Sequence, residues 1–335
     1  MSKTPVTTRI GVVRGDGVGP EIIAAAERVF DALAVTLDIT ELPLTGAMLS
    51  EAGIDTLQDI GVLLKGPTHS DESGVTMSYA LRDRFKLFAN IRPALNLLPE
   101  SRFGPIDLLL IRENLEGLYV GVEHYIPLGD DPRAVAESSG IITREGCNRV
   151  ADFAFRYAIE NERKTVTVVH KANILKALTG LFLETVRDAG ERYAGSIAIE
   201  DRIVDACAMQ LILNPAQFDV LLTTNMFGDI LSDEITGLVG GPTMSASASF
   251  GATLAVFEPV HPPCAELAGQ DQANPTGALL AAAMLLDHIG RRDAGERLRI
   301  ALRRVYADRT LRTAELGGST TTTAFTDAVI AAIAA

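Results

Sequence analysis

An α/β fold follows from three features of this 335-residue chain: apolar runs alternate with amphipathic stretches almost throughout, hydrophobic residues make up 47% and charged residues 22%, and the length exceeds what one core usually supports. That composition excludes a disordered chain. The length favours one large α/β unit or two domains. With 30 Lys and Arg against 43 Asp and Glu, the net charge is −13. Such a surface repels phosphate backbones and anionic membranes, which argues against a nucleic-acid or membrane partner. A local cluster of arginines can still override the global sign for a small anionic substrate.

The elements follow in order. Arg9 to Val13 reads as a buried strand, and the turn Gly15-Asp16-Gly17-Val18-Gly19 leads to Pro20 in a suitable first helical position. Ile22, Ile23, Ala26, Val29, Phe30 and Leu33 then recur at helical spacing. Further strands are expected at Ile106 to Ile111, Thr165 to Val169, Phe218 to Thr223 and Thr253 to Phe257. Helices are expected at Arg144 to Glu160, Ala177 to Ala189, Asp229 to Val239 and Gly277 to Gly290. The proline-rich Pro93 to Pro105 and the Gly/Ser-rich Gly240 to Gly251 mark boundaries. The middle of the chain, 99–252, then reads as a smaller inserted domain, and 1–98 plus 253–335 as the larger one.

The glycine turn invites a dinucleotide-binding reading, but the fingerprint needs Gly or Ala where this chain has Pro20. A tight strand-to-helix turn is the plainer account. The longest strongly apolar stretch, Ala278 to Leu286, falls far short of the roughly 20 residues of a spanning helix. Met1 to Pro5 lacks the apolar core of a signal peptide, so the cytoplasm is the expected location. Cys147, Cys207 and Cys264 are scattered, with no CxxC pair to suggest a disulfide framework or a zinc site.

Some residues carry possible chemistry. Asp229 and Asp233 stand four apart on an expected helix, so both carboxylates share one face just beyond a buried strand. Open α/β sheets bind ligands at such strand ends, and all-oxygen ligation suits Mg²⁺ or Mn²⁺. A solvated helix face is the bland alternative. Asp205 lies among apolar residues, where a salt bridge, a helix cap, a metal or a lysine would each satisfy it. Arg82, Arg92 and Arg112 are candidates for carboxylate or phosphate recognition, with surface pairing as the alternative. Lys171 ends a strand, as either a snorkelling surface residue or a base.

Together these residues resemble a family. Asn225 to Asp233 matches the Asn-x-x-Gly-Asp-(x)-x-Ser-Asp signature of the metal-dependent β-decarboxylating dehydrogenases of 2-hydroxy acids, which act on isocitrate, homoisocitrate, 3-isopropylmalate or tartrate. Leu81-Arg82, Ala89-Asn90-Ile91-Arg92-Pro93, Arg112-Glu113-Asn114-x-Glu116-Gly117-x-Tyr119 and His170-Lys171-Ala172-Asn173 match in order. So do Glu258-Pro259-Val260-His261, Ala273-Asn274-Pro275 and Leu316-Gly317-Gly318. The resemblance runs from Ile10 to about Val329 and is strongest to the NAD-dependent isocitrate dehydrogenase branch.

The resemblance implies a two-domain isocitrate/isopropylmalate dehydrogenase-like α/β fold, not a Rossmann fold, with cofactor loops on the larger domain and the dimer interface and catalytic residues on the smaller. It implies that Arg82, Arg92 and Arg112 clamp substrate carboxylates, with Thr76 and Ser78 reading the group on C3. It makes Tyr119 the general acid, Lys171 the base-side residue, and Asp205, Asp229 and Asp233 the metal carboxylates for Mg²⁺ or Mn²⁺. NAD contacts are implied at Thr68, Asn173, Glu258, His261, Glu266 and Asn274. In relatives the lysine and the first aspartate enter from the neighbouring subunit, so a homodimer with shared sites is expected.

Two departures stand out. The adenosine loop reads His261-Pro262-Pro263-Cys264-Ala265-Glu266, where relatives usually carry His-Gly-Ser-Ala-Pro-Asp, so two prolines remove backbone donors. The segment from Gly66 to Arg82 is shorter than in typical isocitrate enzymes. Thr76 and Ser78 favour isocitrate or another 3-substituted malate with an anionic arm, a phosphonate included. Homoisocitrate enzymes often carry arginine where this chain has Tyr79, and isopropylmalate enzymes are apolar at the Ser78 position. Glu266 followed by Leu267 favours NAD over NADP, because a carboxylate repels a 2′-phosphate. A silent regulatory subunit would be marked by loss of the lysine or a metal aspartate, and all are retained. A pure metal- or anion-binding module gives no reason for the cofactor framework from Glu258 to Pro275.

Overall fold

The computed structural model describes residues 7–45 and 47–335. Met1 to Pro5, read above for a signal peptide, lie outside the described residues. In chain order the strands are β1 Thr8–Val13, β2 Leu37–Glu41, β3 Leu44–Thr45, β4 Met48–Leu49, β5 Val62–Lys65, β6 Ala89–Leu95 and β7 Asp107–Glu113. They continue with β8 Gly117–Leu128, β9 Asp131–Ile141, β10 Thr165–His170, β11 Ala198–Ile203, β12 Val220–Thr223, β13 Ala246–Phe250 and β14 Ala255–Pro259. The helices are α1 Gly19–Ala32, α2 Glu51–Ile60, α3 Met77–Arg84, α4 Arg144–Glu160 and α5 Leu178–Gly190. After them come α6 Val204–Leu213, α7 Asn225–Leu238, α8 Thr276–His288, α9 Arg292–Ala307 and α10 Thr322–Ala334.

Contacts group these elements into two units. The outer unit comprises the described residues up to Phe85, with Leu95–Pro105 and Thr236–Ala335. The inner unit comprises Lys86–Ala94 and Ile106–Ile235. Relative to a division at 99–252, the segments 99–105 and 236–252 side with the outer unit and 86–94 with the inner. Strand pairing is the reason: β13 pairs antiparallel with β14, and β6 neighbours β7.

In the outer unit the strand order is β13-β14-β5-β1-β2, and β14, β5, β1 and β2 run parallel. Ile10, Val12 and Val13 of β1 are fully buried, as a parallel strand covered on both faces requires. Helix α8 explains the longest apolar stretch: every residue from Thr276 to Leu286 is buried, so this helix is apolar all round and lies inside the unit.

The expected turn at Gly15 proves to be packing. Gly15 and Gly17 have φ of +78° and +59°, and a Cβ on either would strike the backbone oxygen of Pro67 or Pro263. Asp16 N donates to Pro67 O at 2.7 Å and Val18 N to Pro263 O at 2.8 Å. The turn is filled by its own chain and leaves no cradle for a pyrophosphate.

In the inner unit the order is β6-β7-β12-β10-β11, with β7, β12, β10 and β11 parallel. The Asp229 helix begins one turn earlier than the periodicity predicts, at Asn225. From this unit projects an antiparallel hairpin, β8 with β9, which the apolar periodicity does not single out. Nearly all of its residues are exposed, including Val122, Tyr125, Leu128 and Val135. Among the described residues no helix is long and apolar enough to cross a membrane.

Candidate active site

The inner unit carries Arg92, Arg112 and the catalytic and metal candidates, on its strands and on the elements that follow them. Arg112 near the end of β7 stands beside Thr223 at the end of β12. Its buried guanidinium donates from Nε and Nη2 to Asn225 Oδ1 at 2.9 and 2.6 Å, and Nη1 forms an ion pair with Asp229. The other Asp229 oxygen accepts from the Tyr119 hydroxyl at 2.9 Å. Asn225 Nδ2 donates to Glu116 O at 3.0 Å, which ties the start of α7 to the turn before β8. Gly228 is demanded by this packing, because a Cβ there would sit 2.6 Å from Arg112 Cγ.

Much of the Arg112-Glu113-Asn114-x-Glu116 motif is scaffold. The Glu113 carboxylate accepts from Leu115 N at 3.0 Å and Glu116 N at 2.9 Å, and burial raises its pKa. Asn114 Nδ2 donates to Leu87 O at 3.0 Å, and the Glu116 carboxylate accepts from Thr143 N at 2.8 Å at the start of α4.

Lys171 follows β10, and its Nζ lies 2.6 Å from Asp205 in the first turn of α6. That hydrogen bond holds the Asp205 carboxyl below its usual range. Asp205 is therefore partnered by the lysine and does not cap α6 through its side chain. Asp233 is exposed one turn beyond the half-exposed Asp229, and Asn173 is also exposed. Among the described residues of one chain, no three His, Cys, Asp or Glu side chains gather to hold a metal ion. Asp229 and Asp233 nevertheless fit a hard divalent cation: both are carboxylates, one helical turn apart, and accessible. Arg92 Nε donates to Asn90 Oδ1 at 3.0 Å.

The outer unit carries the specificity and cofactor candidates. Thr76 Oγ1 caps α3 by accepting from Tyr79 N at 3.2 Å, so its own proton stays available. Ser78 Oγ instead donates to Glu258 Oε2 at 2.8 Å. The same Glu258 oxygen lies 2.8 Å from Nζ of Lys65, a residue only 2% exposed that also donates to Gly66 O at 2.9 Å. Sequence reasoning missed Lys65; a lysine closing an apolar strand, followed by Gly66-Pro67, was the available signal. Arg82 is half-buried in the last turn of α3. Thr68 is half-buried after β5, in a loop held by Asp16 Oδ2, which accepts from His69 N at 2.8 Å.

His261 is buried, and burial lowers its pKa and keeps the ring neutral. Its Nδ1 lies 2.8 Å from Pro262 O, so the proton sits there, and Nε2 is a buried acceptor with no donor. A ligand N–H or O–H would satisfy it. The Asn274 side chain is engaged internally: Nδ2 donates to Tyr306 OH at 3.1 Å and Oδ1 accepts from Thr276 N at 2.9 Å. Only its backbone remains for a cofactor. Glu266 is exposed in a short helical turn. The prolines of this loop are accommodated by the glycine turn, and Cys264 packs on Val18, Ile22, Ala273 and Ala278.

The isocitrate/isopropylmalate dehydrogenase family pattern matches residues 9–329. The chain belongs to that family. It is 40% identical to the isocitrate/homoisocitrate dehydrogenase of Thermus thermophilus, over 97% of this chain and 98% of that one. It is 39% identical to the mitochondrial NAD isocitrate dehydrogenase catalytic subunit 5 of Arabidopsis thaliana, over 98% and 88%. The crystal structure of isocitrate dehydrogenase from Methylococcus capsulatus superposes with a TM-score of 0.88 at 38% identity, covering 98% of this chain and 99% of that one. The chain is thus a member of a dehydrogenase family and has that family's fold, as the motifs implied.

Proposed function

We infer that the chain is an NAD- and divalent-metal-dependent dehydrogenase that oxidises and decarboxylates a 3-substituted (R)-malate, with isocitrate as the first choice. The observation that carries this reading is the Asp229 carboxylate held between Arg112 and Tyr119 at the end of β12. An anionic substrate offers Arg112 a second carboxylate to grip, which releases Asp229 for a cation. Asp229 and Asp233 would hold a divalent cation, Mg²⁺ or Mn²⁺, which would supply Lewis acidity to the substrate hydroxyl, and NAD would supply the hydride acceptor. Lys171 Nζ, hydrogen-bonded to Asp205, would assist removal of the hydroxyl proton. The β-carboxylate departs as CO₂ with the bonding pair left as an enolate, and the Tyr119 hydroxyl protonates the enolate carbon. Arg82 and Arg92 would grip further carboxylate oxygens, and His261 Nε2 and Glu266 would take the adenosine end of NAD.

Two features support a dimer with shared sites. Asp205 is bound to Lys171 and not grouped with Asp229 and Asp233 within one chain. The hairpin, with Met209, Ile212 and Leu213 of α6, exposes large apolar side chains that a second copy would cover. Lys171→Ala and Asp229→Asn should each be inactive, yet a one-to-one reassorted mixture should recover about a quarter of wild-type activity, because half the dimers hold one intact site. No recovery after verified mixing would place lysine and metal in one chain.

The engagement of Ser78 by Glu258 favours a second reading of the arm, in which Thr76 alone donates to it and homoisocitrate competes with isocitrate. Initial rates with NAD and Mn²⁺ on isocitrate, homoisocitrate, 3-isopropylmalate, malate and tartrate test both. A higher kcat/KM on 3-isopropylmalate than on either tricarboxylate would sink the anionic-arm reading.

A further inference from the structure

In the inner unit, four hydrogen bonds fix the peptide that carries Lys171. Its N–H donates to Thr179 Oγ1 at 3.1 Å, and the next N–H, of Ala172, donates to His170 Nδ1 at 3.0 Å. The Lys171 carbonyl accepts from Ile174 N at 3.0 Å and Leu175 N at 2.8 Å. His170 itself is buried at the end of β10, and its Nε2 lies 3.1 Å from Asp201 Oδ2 on the adjacent β11. The second Asp201 oxygen is ion-paired with Arg187 of α5.

These contacts admit one protonation pattern. Nδ1 accepts a backbone N–H, so it needs its lone pair and cannot carry the ring proton. That proton sits on Nε2 and is donated to Asp201. A ring protonated on Nδ1, or on both nitrogens, would set two donors against each other at Ala172. Burial works to raise the Asp201 pKa, but the bonds from Arg187 and His170 outweigh it and keep the carboxylate ionised as an acceptor.

We propose that His170 is a positioning residue: Asp201, anchored by Arg187, selects the Nε2–H tautomer of His170, and that tautomer fixes the turn from which Lys171 reaches into the active site. The proposal rests on the role given above to Lys171. It assigns a function to the histidine of His170-Lys171-Ala172-Asn173, which touches no reacting atom. A misaimed base costs rate without weakening binding, and an isosteric change that imposes the wrong imidazole tautomer does the same.

Asp201→Asn makes the test without altering shape. Arg187 claims the amide oxygen, so the NH₂ faces His170 Nε2 and drives the proton to Nδ1, against the Ala172 N–H. In ¹⁵N-histidine-labelled enzyme, with the His170 signal among the five histidines assigned by its loss in His170→Asn, the wild type should show the Nε2–H tautomer. Asp201→Asn should show the Nδ1–H form and lower kcat on the order of 10- to 100-fold, with KM for NAD within about twofold. His170→Asn, whose side-chain oxygen falls near the Nδ1 position, should keep kcat within about fivefold of wild type, whereas His170→Ala should lose as much as Asp201→Asn. An Nδ1–H signal in the wild type, unchanged kcat in Asp201→Asn, or equal losses in His170→Asn and His170→Ala would each overturn the proposal. Lys171→Ala separates it from the reading beneath: activity retained there removes the lysine's role while the tautomer result stands.

Discussion

Asp229 in the inner unit and Glu258 in the outer unit have the same partners in kind, a cation and a hydroxyl. Asp229 pairs with Arg112 and accepts from Tyr119; Glu258 pairs with Lys65 and accepts from Ser78. They differ in solvent access: the Asp229 side chain is 41% exposed and that of Glu258 16%, beside a Lys65 side chain at 2%. Both cations are buried, Arg112 at 3%, but a carboxylate open to water can exchange partners cheaply and an enclosed one cannot. Arg112 also keeps Asn225 when Asp229 leaves, so its fork is never stranded. The first pair suits chemistry in which a substrate and a cation replace existing contacts. The second suits a fixed wall.

The comparison can be broken by substitution, beginning with activity. Asp229→Asn should lower metal-dependent turnover roughly a thousandfold, since several kcal/mol of transition-state stabilisation pass through that carboxylate. Its melting temperature should fall less than that of Lys65→Met, because the side chain is half-exposed and Asn225 still holds the buried Arg112. Turnover across a Mn²⁺ titration, with thermal melts alongside, checks both halves, and wild-type turnover with metal still required would refute the assignment. Lys65→Met should behave in the opposite sense. It leaves a largely buried carboxylate without its cation, at a cost of about 3–5 kcal/mol. A melting temperature within a degree of wild type would show that the outer pair is as replaceable as the inner one.

Smaller effects sharpen the same contrast. Ser78→Ala removes one hydrogen bond to a charged acceptor, about 1.5–3 kcal/mol at most. If the hydroxyl serves Glu258, denaturant midpoints fall and the ratio of kcat/KM between isocitrate and 3-isopropylmalate holds. A shifted ratio at unchanged stability would return Ser78 to the substrate arm. The smallest effect concerns Glu266, which is exposed and has room to move. NAD should exceed NADP in kcat/KM by about tenfold or more, and Glu266→Lys should narrow that gap, as expected when a like-charge clash with the 2′-phosphate is removed. Kinetics with both cofactors at saturating substrate decide it, and equal values in the wild type would remove Glu266 from the ribose.

The parts legible in the sequence are those that local patterning controls. Helix α4 spans the periodic stretch residue for residue, and β1, β7, β10, β12 and β14 fall on apolar runs because a strand covered on both faces must be apolar throughout. The hairpin β8–β9 escaped that logic, since in one chain it has no core to face. The motifs also carry structure: Glu113, Asn114 and Glu116 hold the β7–β8 turn and the start of α4, and the Asn274 side chain holds Tyr306.

By itself, then, the sequence determined the fold class, the family motifs and the residue types able to grip carboxylates or a hard cation. Which of those side chains are already engaged was decided only in three dimensions. Ser78 faces Glu258, 180 residues away, and Asn225 and Asp229 meet Arg112 across adjacent strands more than a hundred residues apart. Hydrogen bonds act over about 3 Å, and no periodicity along the chain records which distant strand ends the parallel sheet will set side by side.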